Sequence, residues 1–466
     1  MNQSGISPPF KVERREPELI TPAKPTPHDF KALSDIDDQD SFRIHIPIIQ
    51  VYPNNPYMEG IDPAKVIKDA ISKALVFYYP FAGRLRQLDP SRKLFVECTG
   101  EGVLFIEADA NVTLHQSGNS LHPLFPYLDQ ILYDVPGSNG VLDCPLLLFQ
   151  FTFLKLKLYV TRLKCGGFVL AVRFHHSMTD GPGFGQFMSA VGEIARGKEA
   201  PSIMPVWKRH VLSANNPPNP TCFHPEYETF PSPQTNNTTP HNNNETLVNR
   251  AIFFGPKQIS LLRKIIPTQI QRCSTFELIT ACVWKCRTTA LLPNPAQIMR
   301  MIFLVNVQYK RFNPPILPQG YYGNGFVLST AISTAEELIG NPVGYALGLI
   351  RKAKENVTRE YIQSSMDTLV SKGRVHFQEE GSCMITDNTR SGFREVDLGW
   401  GNAIYGGPPR LVLSMACCCF AYQDNEGENG TLVLISLPAP AMERFEKEVN
   451  NLLEEKPTNV SIKSSL

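Results

Sequence analysis

The chain has 466 residues, 42% of them hydrophobic and 19% charged, which predicts two or three globular domains with a sizeable core and excludes global disorder. Lys+Arg (45) and Asp+Glu (44) nearly cancel, so there is no electrostatic case for nucleic acid or an anionic membrane as a partner, although a local cationic cluster could still hold a small anion. No uncharged apolar run reaches the ~18 residues that span a bilayer, and the eleven cysteines carry no CxxC pair, which points to reduced thiols in a cytosol-like compartment.

The first residues, MNQSGISPPFKVERREPELITPAKPTP, hold no apolar core of the signal-peptide kind. A cytoplasmic location is expected, and the sequons at Asn236, Asn237 and Asn244 then carry little meaning. Asp62-Pro63 has the form of an N-cap followed by proline at the first helical position, and Val66, Ile67, Ala70, Ile71, Ala74 and Leu75 follow at helical spacing. Leu94–Glu97 reads as a strand. In residues 166–197, Phe168, Leu170, Val172 and Phe174 alternate onto one strand face. His176 falls on that face, while Arg173 and His175 point the other way. Gly181, Pro182 and Gly183 break the strand, and a helix follows with Phe184, Phe187, Met188, Val191 and Ile194 on its buried stripe. Residues 213–248, dense in Asn, Pro and Thr, read as an exposed linker between halves of comparable length. Beyond it, Ser274 with Glu277 forms a capping box, opening a helix with Leu278, Ile279, Cys282, Val283 and Cys286 buried. Ile302–Val307 and Thr431–Leu437 read as strands, and Met442, Phe445, Val449 and Leu452 mark a last helix. Cys417, Cys418 and Cys419 lie in an apolar run and are read as core, not as metal ligands. Ser464-Ser465-Leu466 loosely matches a peroxisomal address, the alternative location. The mixture is α/β or α+β; pattern alone does not choose.

An imidazole emerging from an apolar face at a strand end is a proton acceptor near neutral pH, and partial burial would keep it one. Asp180, four residues on, could orient the loop through a cation or backbone amides, or hold the imidazole tautomer. A satisfied structural histidine is the plainer reading of such a residue. Zinc needs further ligands, and no HxxxH is present. GPGFGQ lacks the glycine spacing of a dinucleotide site, and no GxSxG elbow favours a serine hydrolase.

HHSMTDG, with His176 and Asp180, resembles the HxxxDG signature of the BAHD acyltransferases. Asp397-Leu398-Gly399-Trp400-Gly401 resembles that family's DFGWG motif, which condensation domains and chloramphenicol acetyltransferases lack. YYPFAGRL (Tyr78 to Leu85) and GYYGNGF (Gly320 to Phe326) resemble recurrent family segments, so the likeness covers nearly the whole chain. EPELITPAKPTP and SDIDDQD are similar to benzyl alcohol benzoyltransferases, methanol anthraniloyltransferases and hexenol acetyltransferases.

The resemblance implies an α/β fold of two similar chloramphenicol-acetyltransferase-like domains, mixed sheets with flanking helices, joined by a long crossover loop. The expected divisions are residues 1–205, 206–250 and 251–466. It implies a tunnel with His176 at its centre as general base, acyl-CoA as co-substrate and a small alcohol as acceptor. No bound cofactor, metal, nucleic acid or membrane is expected, and the chain is expected to be a monomer. Asp397 is carried beside His176 as a catalytic candidate, although the family assigns it to architecture near the CoA side. Asp180, Gly181, Gly399, Trp400 and Gly401 are structural motif residues, with Trp400 a candidate donor to the oxyanion. The RLVLSMACCCF segment, Arg410 to Phe420, is expected to line or support the acyl pocket.

Three departures stand out. The family's Asn-x-Arg, whose arginine pairs with Asp180, reads Asn306-Val307-Gln308 here, followed by Tyr309, Lys310 and Arg311, leaving Lys310 or Arg311 as substitutes. Residues 151–159, FTFLKLKLY, are an insertion before VTRLKCGG, and an odd count would reverse every later side chain unless the extra residues loop out. Leu398 replaces the phenylalanine of DFGWG. The function expected is transfer of an aromatic (benzoyl or anthraniloyl) or short acyl group from CoA to a small alcohol such as benzyl alcohol or methanol. The alternatives are a catalytically impaired relative that binds a small molecule or partner, and an N-acyltransferase acting on an amine.

Overall fold

Local chemistry opens the helices where the sequence places them. In this computed structural model, which describes residues 10–111, 124–154 except 126, 167–231, 246–308 except 271, 312–412 except 374 and 376, and 415–454, the Asp62 carboxylate accepts from the Ala64 and Lys65 amides and opens the helix Pro63–Phe77. Ser274 and Glu277 exchange side-chain bonds with each other's amides, at 3.2 and 2.8 Å, and open Thr275–Leu291. Each such cap contributes about 1 kcal/mol. The last helix, Ala439–Leu453, buries Met442, Phe445 and Val449.

Two mixed sheets carry the molecule. One runs Val12–Arg14, Val103–Ala110, Leu147–Leu154, Phe168–His175, His45–Tyr52, Tyr405–Gly407, with Glu18–Ile20 also paired to Val103–Ala110. The other runs Leu247–Phe254, Asn429–Pro438, Ala416–Gln423, Ser382–Asp387, Ile298–Asn306, Phe326–Thr334. Both contain parallel and antiparallel pairs. The helices Pro63–Phe77 and Gly181–Ala195 pack together over the first sheet's core. Thr275–Leu291, Val343–Glu355 and Ala439–Leu453 cover the second. This is the expected α/β arrangement of mixed sheets with flanking helices. One strand crosses between halves: Tyr405–Gly407, late in the chain, pairs with His45–Tyr52 in the first sheet.

The insertion is resolved by register. Phe151, Thr152, Phe153 and Leu154 do not loop out; they complete the strand Leu147–Leu154. That strand pairs in unbroken antiparallel register with Phe168–His175, from Leu147 opposite Phe174 to Phe153 opposite Phe168. Residues 155–166, the rest of the expected insertion and the VTRLKCG that follows it, lie outside the described residues. Because the pairing fixes each face, the strand Phe168–His175 keeps its orientation whatever the parity of the insertion.

The linker expectation needs correction. Residues 232–245, with all three sequons, lie outside the described residues, but the stretch before them is not an exposed tether. His224, Glu226 and Tyr227 are buried, held by hydrogen bonds to the helix Arg359–Ser371 that composition does not reveal.

Candidate active site

Strand alternation delivers the histidine. Phe168, Leu170, Val172 and Phe174 enter the core beneath the helices, whereas Val169 and Ala171 enter a separate cluster on the opposite face. On that opposite face His175 meets His45 edge to face at 5.0 Å, and Arg173 bonds to Asp134 and the Tyr133 carbonyl. Burial lowers the pKa of His45 to about 4 and drives that of His175 well below its ordinary value. His176 is the first residue past the strand; its amide donates to the Ile44 carbonyl at 2.8 Å. Its ring, partly buried, stacks on Phe42 at 4.6 Å and meets Phe174 at 6.3 Å.

His176 lines a cavity of about 1240 Å³ between the two sheets. Ile46, Ile48 and Phe174 come from the first sheet; Phe303, Val305, Phe326, Leu328 and Met384 come from the second. Nδ1 of His176 is buried, which leaves Nε2 as the nitrogen for the cavity. Burial lowers the histidine's pKa, partly offset by its own carbonyl, by Asp37 and by Asn324. Burial thus favours the neutral ring over the charged one.

Asp180 caps the helix Gly181–Ala195. One carboxylate oxygen accepts from the Gly183 amide at 2.8 Å and the other from the Gly325 amide at 2.9 Å. Among the described residues it has no ion pair, and Lys310 and Arg311, the substitutes for the displaced arginine, lie outside them. Burial raises its pKa to about 6 against the pull of those two amides. Gln308, at the displaced arginine's place, lies over Gly325, and its Nε2 is buried without a partner. Gly181 sits so close to Asn388 and Ser391 that a Cβ would lie 2.3 Å from the Asn388 Oδ1.

The structure separates Asp397 from this site. It does not line the cavity; its Oδ1 accepts from the Gly399 and Gly401 amides at 2.8 and 2.9 Å. Those glycines have φ of 105° and 89°, so the motif is a carboxylate-capped turn that only glycine adopts without strain. Arg196 reaches from the helix Gly181–Ala195 to the Asp397 carbonyl. Trp400 is buried edge-on against Phe168 at 5.6 Å and does not line the cavity, so its indole is not placed to meet an oxyanion there. Leu398 is wholly buried in the first half's core.

The cavity's second wall includes Arg410, Leu411, Val412 and Ala416 through Cys419, as expected for that segment. Cys417 and Cys419 are buried, while Cys418 is partly exposed on the wall. No group of three metal-ligating side chains occurs among the described residues. Sequence reasoning missed Phe42, Asp37, Arg209 and Asn324, all beside or behind His176. Asp37 lies in an acidic run that normally marks a solvated surface, yet it is wholly buried. Its burial had no periodic signature.

Two mixed sheets thus share a cavity, with a partly buried histidine just past a strand end on its wall. Residues 10–452 match the model of the Transferase family. The chain is 51% identical over 449 residues, covering 96% of it and 94% of the relative, to a benzyl alcohol O-benzoyltransferase of Petunia hybrida. It is 50% identical to a 13-hydroxylupanine O-tigloyltransferase of Lupinus albus, covering 98% of both. Its fold matches the F. sporotrichioides TRI101 structure complexed with coenzyme A and T-2, with a TM-score of 0.72 at 18% identity, covering 90% of this chain and 97% of that one. The chain belongs to the Transferase family, the BAHD acyltransferases, and is an acyltransferase.

Proposed function

We propose that this acyltransferase moves an acyl group, aromatic or short, from coenzyme A to the hydroxyl of a small uncharged alcohol such as benzyl alcohol or methanol. The observation that carries the reading is His176: buried at Nδ1, stacked on Phe42, and lining a cavity between the sheets. Nε2 takes the hydroxyl proton as the oxygen attacks the thioester carbon. The tetrahedral intermediate collapses, the C–S bond breaks, and the departing thiolate regains the proton from the imidazolium. Both substrates are held at once, so proximity supplies much of the rate and no acyl-enzyme forms. Phe42, Phe174 and Phe326 surround the base with apolar surface suited to an uncharged acceptor. Arg263, Lys354, Arg390 and Arg410 also line the cavity and supply cations for the phosphates of coenzyme A. The unbroken register of the catalytic strand supports an active enzyme over an impaired relative.

Purified protein with benzoyl-CoA and benzyl alcohol should yield ester and free thiol in equal amounts. His176→Ala should lose turnover by roughly 10²–10⁴-fold while still binding coenzyme A. Undiminished turnover in that variant would remove the mechanism.

A further inference from the structure

Three groups from distant parts of the chain meet behind the catalytic loop. Asp37 comes from the acidic turn near the N-terminus, Arg209 from the segment that leaves the first half, and Asn324 from the Gly-Asn-Gly of the second. All three are buried. Arg209 Nη1 donates to Asp37 Oδ2 at 2.9 Å, and the Ser34 amide donates to the same oxygen at 3.1 Å. Asp37 Oδ1 accepts from the amide of Asn324 at 3.1 Å and from its Nδ2 at 2.7 Å. That same Nδ2 donates to the His176 carbonyl at 2.8 Å.

The consequence is a grip on the loop 176–180 from outside it. Asn324 holds the His176 carbonyl, Arg209 Nη2 holds the Met178 carbonyl at 2.8 Å, and the Gly325 amide holds the Asp180 carboxylate. A side-chain amide has two protons on one nitrogen, and Asn324 uses one for Asp37 and one for the histidine's main chain. Neither serine, with one proton, nor aspartate, with none, can make both bonds. The ring of His176 is pressed on Phe42, so its main chain is the remaining freedom that decides where Nε2 sits.

We propose that Asn324, oriented by the Asp37–Arg209 pair, is a positioning residue for His176: its amide fixes the main chain that carries the base and thereby sets where Nε2 meets the acceptor hydroxyl. The inference rests on the reading of His176 as the base. A displacement of ~1 Å at a reacting group costs on the order of 10²-fold in rate without a matching loss of binding.

The test compares the parent with Asn324→Ala, Asn324→Asp and the exchanged pair Asp37→Asn/Asn324→Asp, reading kcat, KM for each substrate and melting temperature. The exchanged pair keeps an amide opposite a carboxylate and keeps a charge for Arg209, but leaves no side-chain donor for the His176 carbonyl. Expected are kcat values about 50–100-fold below the parent in all three, KM values within about threefold, and a melting temperature recovered in the exchanged pair without recovery of kcat. A folded Asn324 variant with kcat within about threefold of the parent would overturn the inference, as would kcat recovering together with stability in the exchanged pair. Failure of all three to fold would also overturn it, by making the residue structural. The same assays contain His176→Ala. If that variant matches the parent, the functional reading falls; if it is inactive while the Asn324 variants work, only this inference does.

Discussion

Burial sets the chemistry of His176, because the cost of charging a sheltered ring lowers its pKa beneath the ordinary 6.5. The acid limb of kcat/KM should have its midpoint below 6.5; a midpoint above it would mean that the ring is stabilised as a cation. Two neighbours make opposite demands on stability. His45, lowered from 6.5 to about 4, contributes stability present above 6.5 and lost as pH falls through about 4. Asp180, raised from 3.8 to about 6, contributes stability present below 3.8 and lost as pH rises through about 6. Between pH 5 and 7 the Asp180 contribution falls by about 1 kcal/mol. Asp180→Asn abolishes that titration, so its melting temperature should decline less over this interval than the parent's; an equal decline would contradict the assignment. The position of His176 was legible because a period of two needs only four neighbours. The Asp37–Arg209–Asn324 cluster was not legible, because polar contacts between positions far apart in the chain leave no periodicity.

Among the elements, the strand Leu147–Leu154 teaches most. Its outer residues Phe151-Thr152-Phe153-Leu154 belong to the expected insertion yet are paired through to the strand's end. Removing residues 151–159 would bring Val160-Thr161-Arg162-Leu163 directly after Gln150, a segment of the same polar and apolar pattern at three of its four positions. Phe151 is fully buried, so its replacement by a valine at that position should cost about 1–3 kcal/mol. The shortened protein should therefore fold and keep its activity, with a lower melting temperature. Loss of the fold would show that the extra residues are needed. Helix starts were readable because caps are local, as Asp62 and Ser274 illustrate. The role of residues 221–231 was hidden, since the longer stretch that holds them, 213–248, is rich in proline and asparagine and looks alike whether it is free or pinned.

The whole molecule is tied together by polar clasps as well as by its cores. In one, His224 Nδ1 meets Glu226 at 3.0 Å and its Nε2 meets Ser364 Oγ at 2.9 Å, while the Tyr361 hydroxyl donates to Glu226 at 2.8 Å. The order serine, histidine, carboxylate is that of a nucleophilic triad. None of the three lines the cavity and all are buried, so they serve to fasten the crossover segment to the helix Arg359–Ser371. Glu226→Ala strands those partners and should cost about 3 kcal/mol or more of stability, read by denaturant unfolding, with KM for the alcohol unchanged. A second tie is the strand Tyr405–Gly407, which carries the chain after the Gly-Trp-Gly turn into the first sheet. Together they make the cavity a property of both halves, with His176 from one and much of the opposing wall from the other. The central claim, direct transfer between two substrates held together beside His176, is tested by rapid-quench single turnover with benzoyl-CoA, with and without benzyl alcohol. Free thiol should appear only when the alcohol is present, in step with ester; a stoichiometric burst of thiol without alcohol would mean that the protein itself is acylated and would contradict the account.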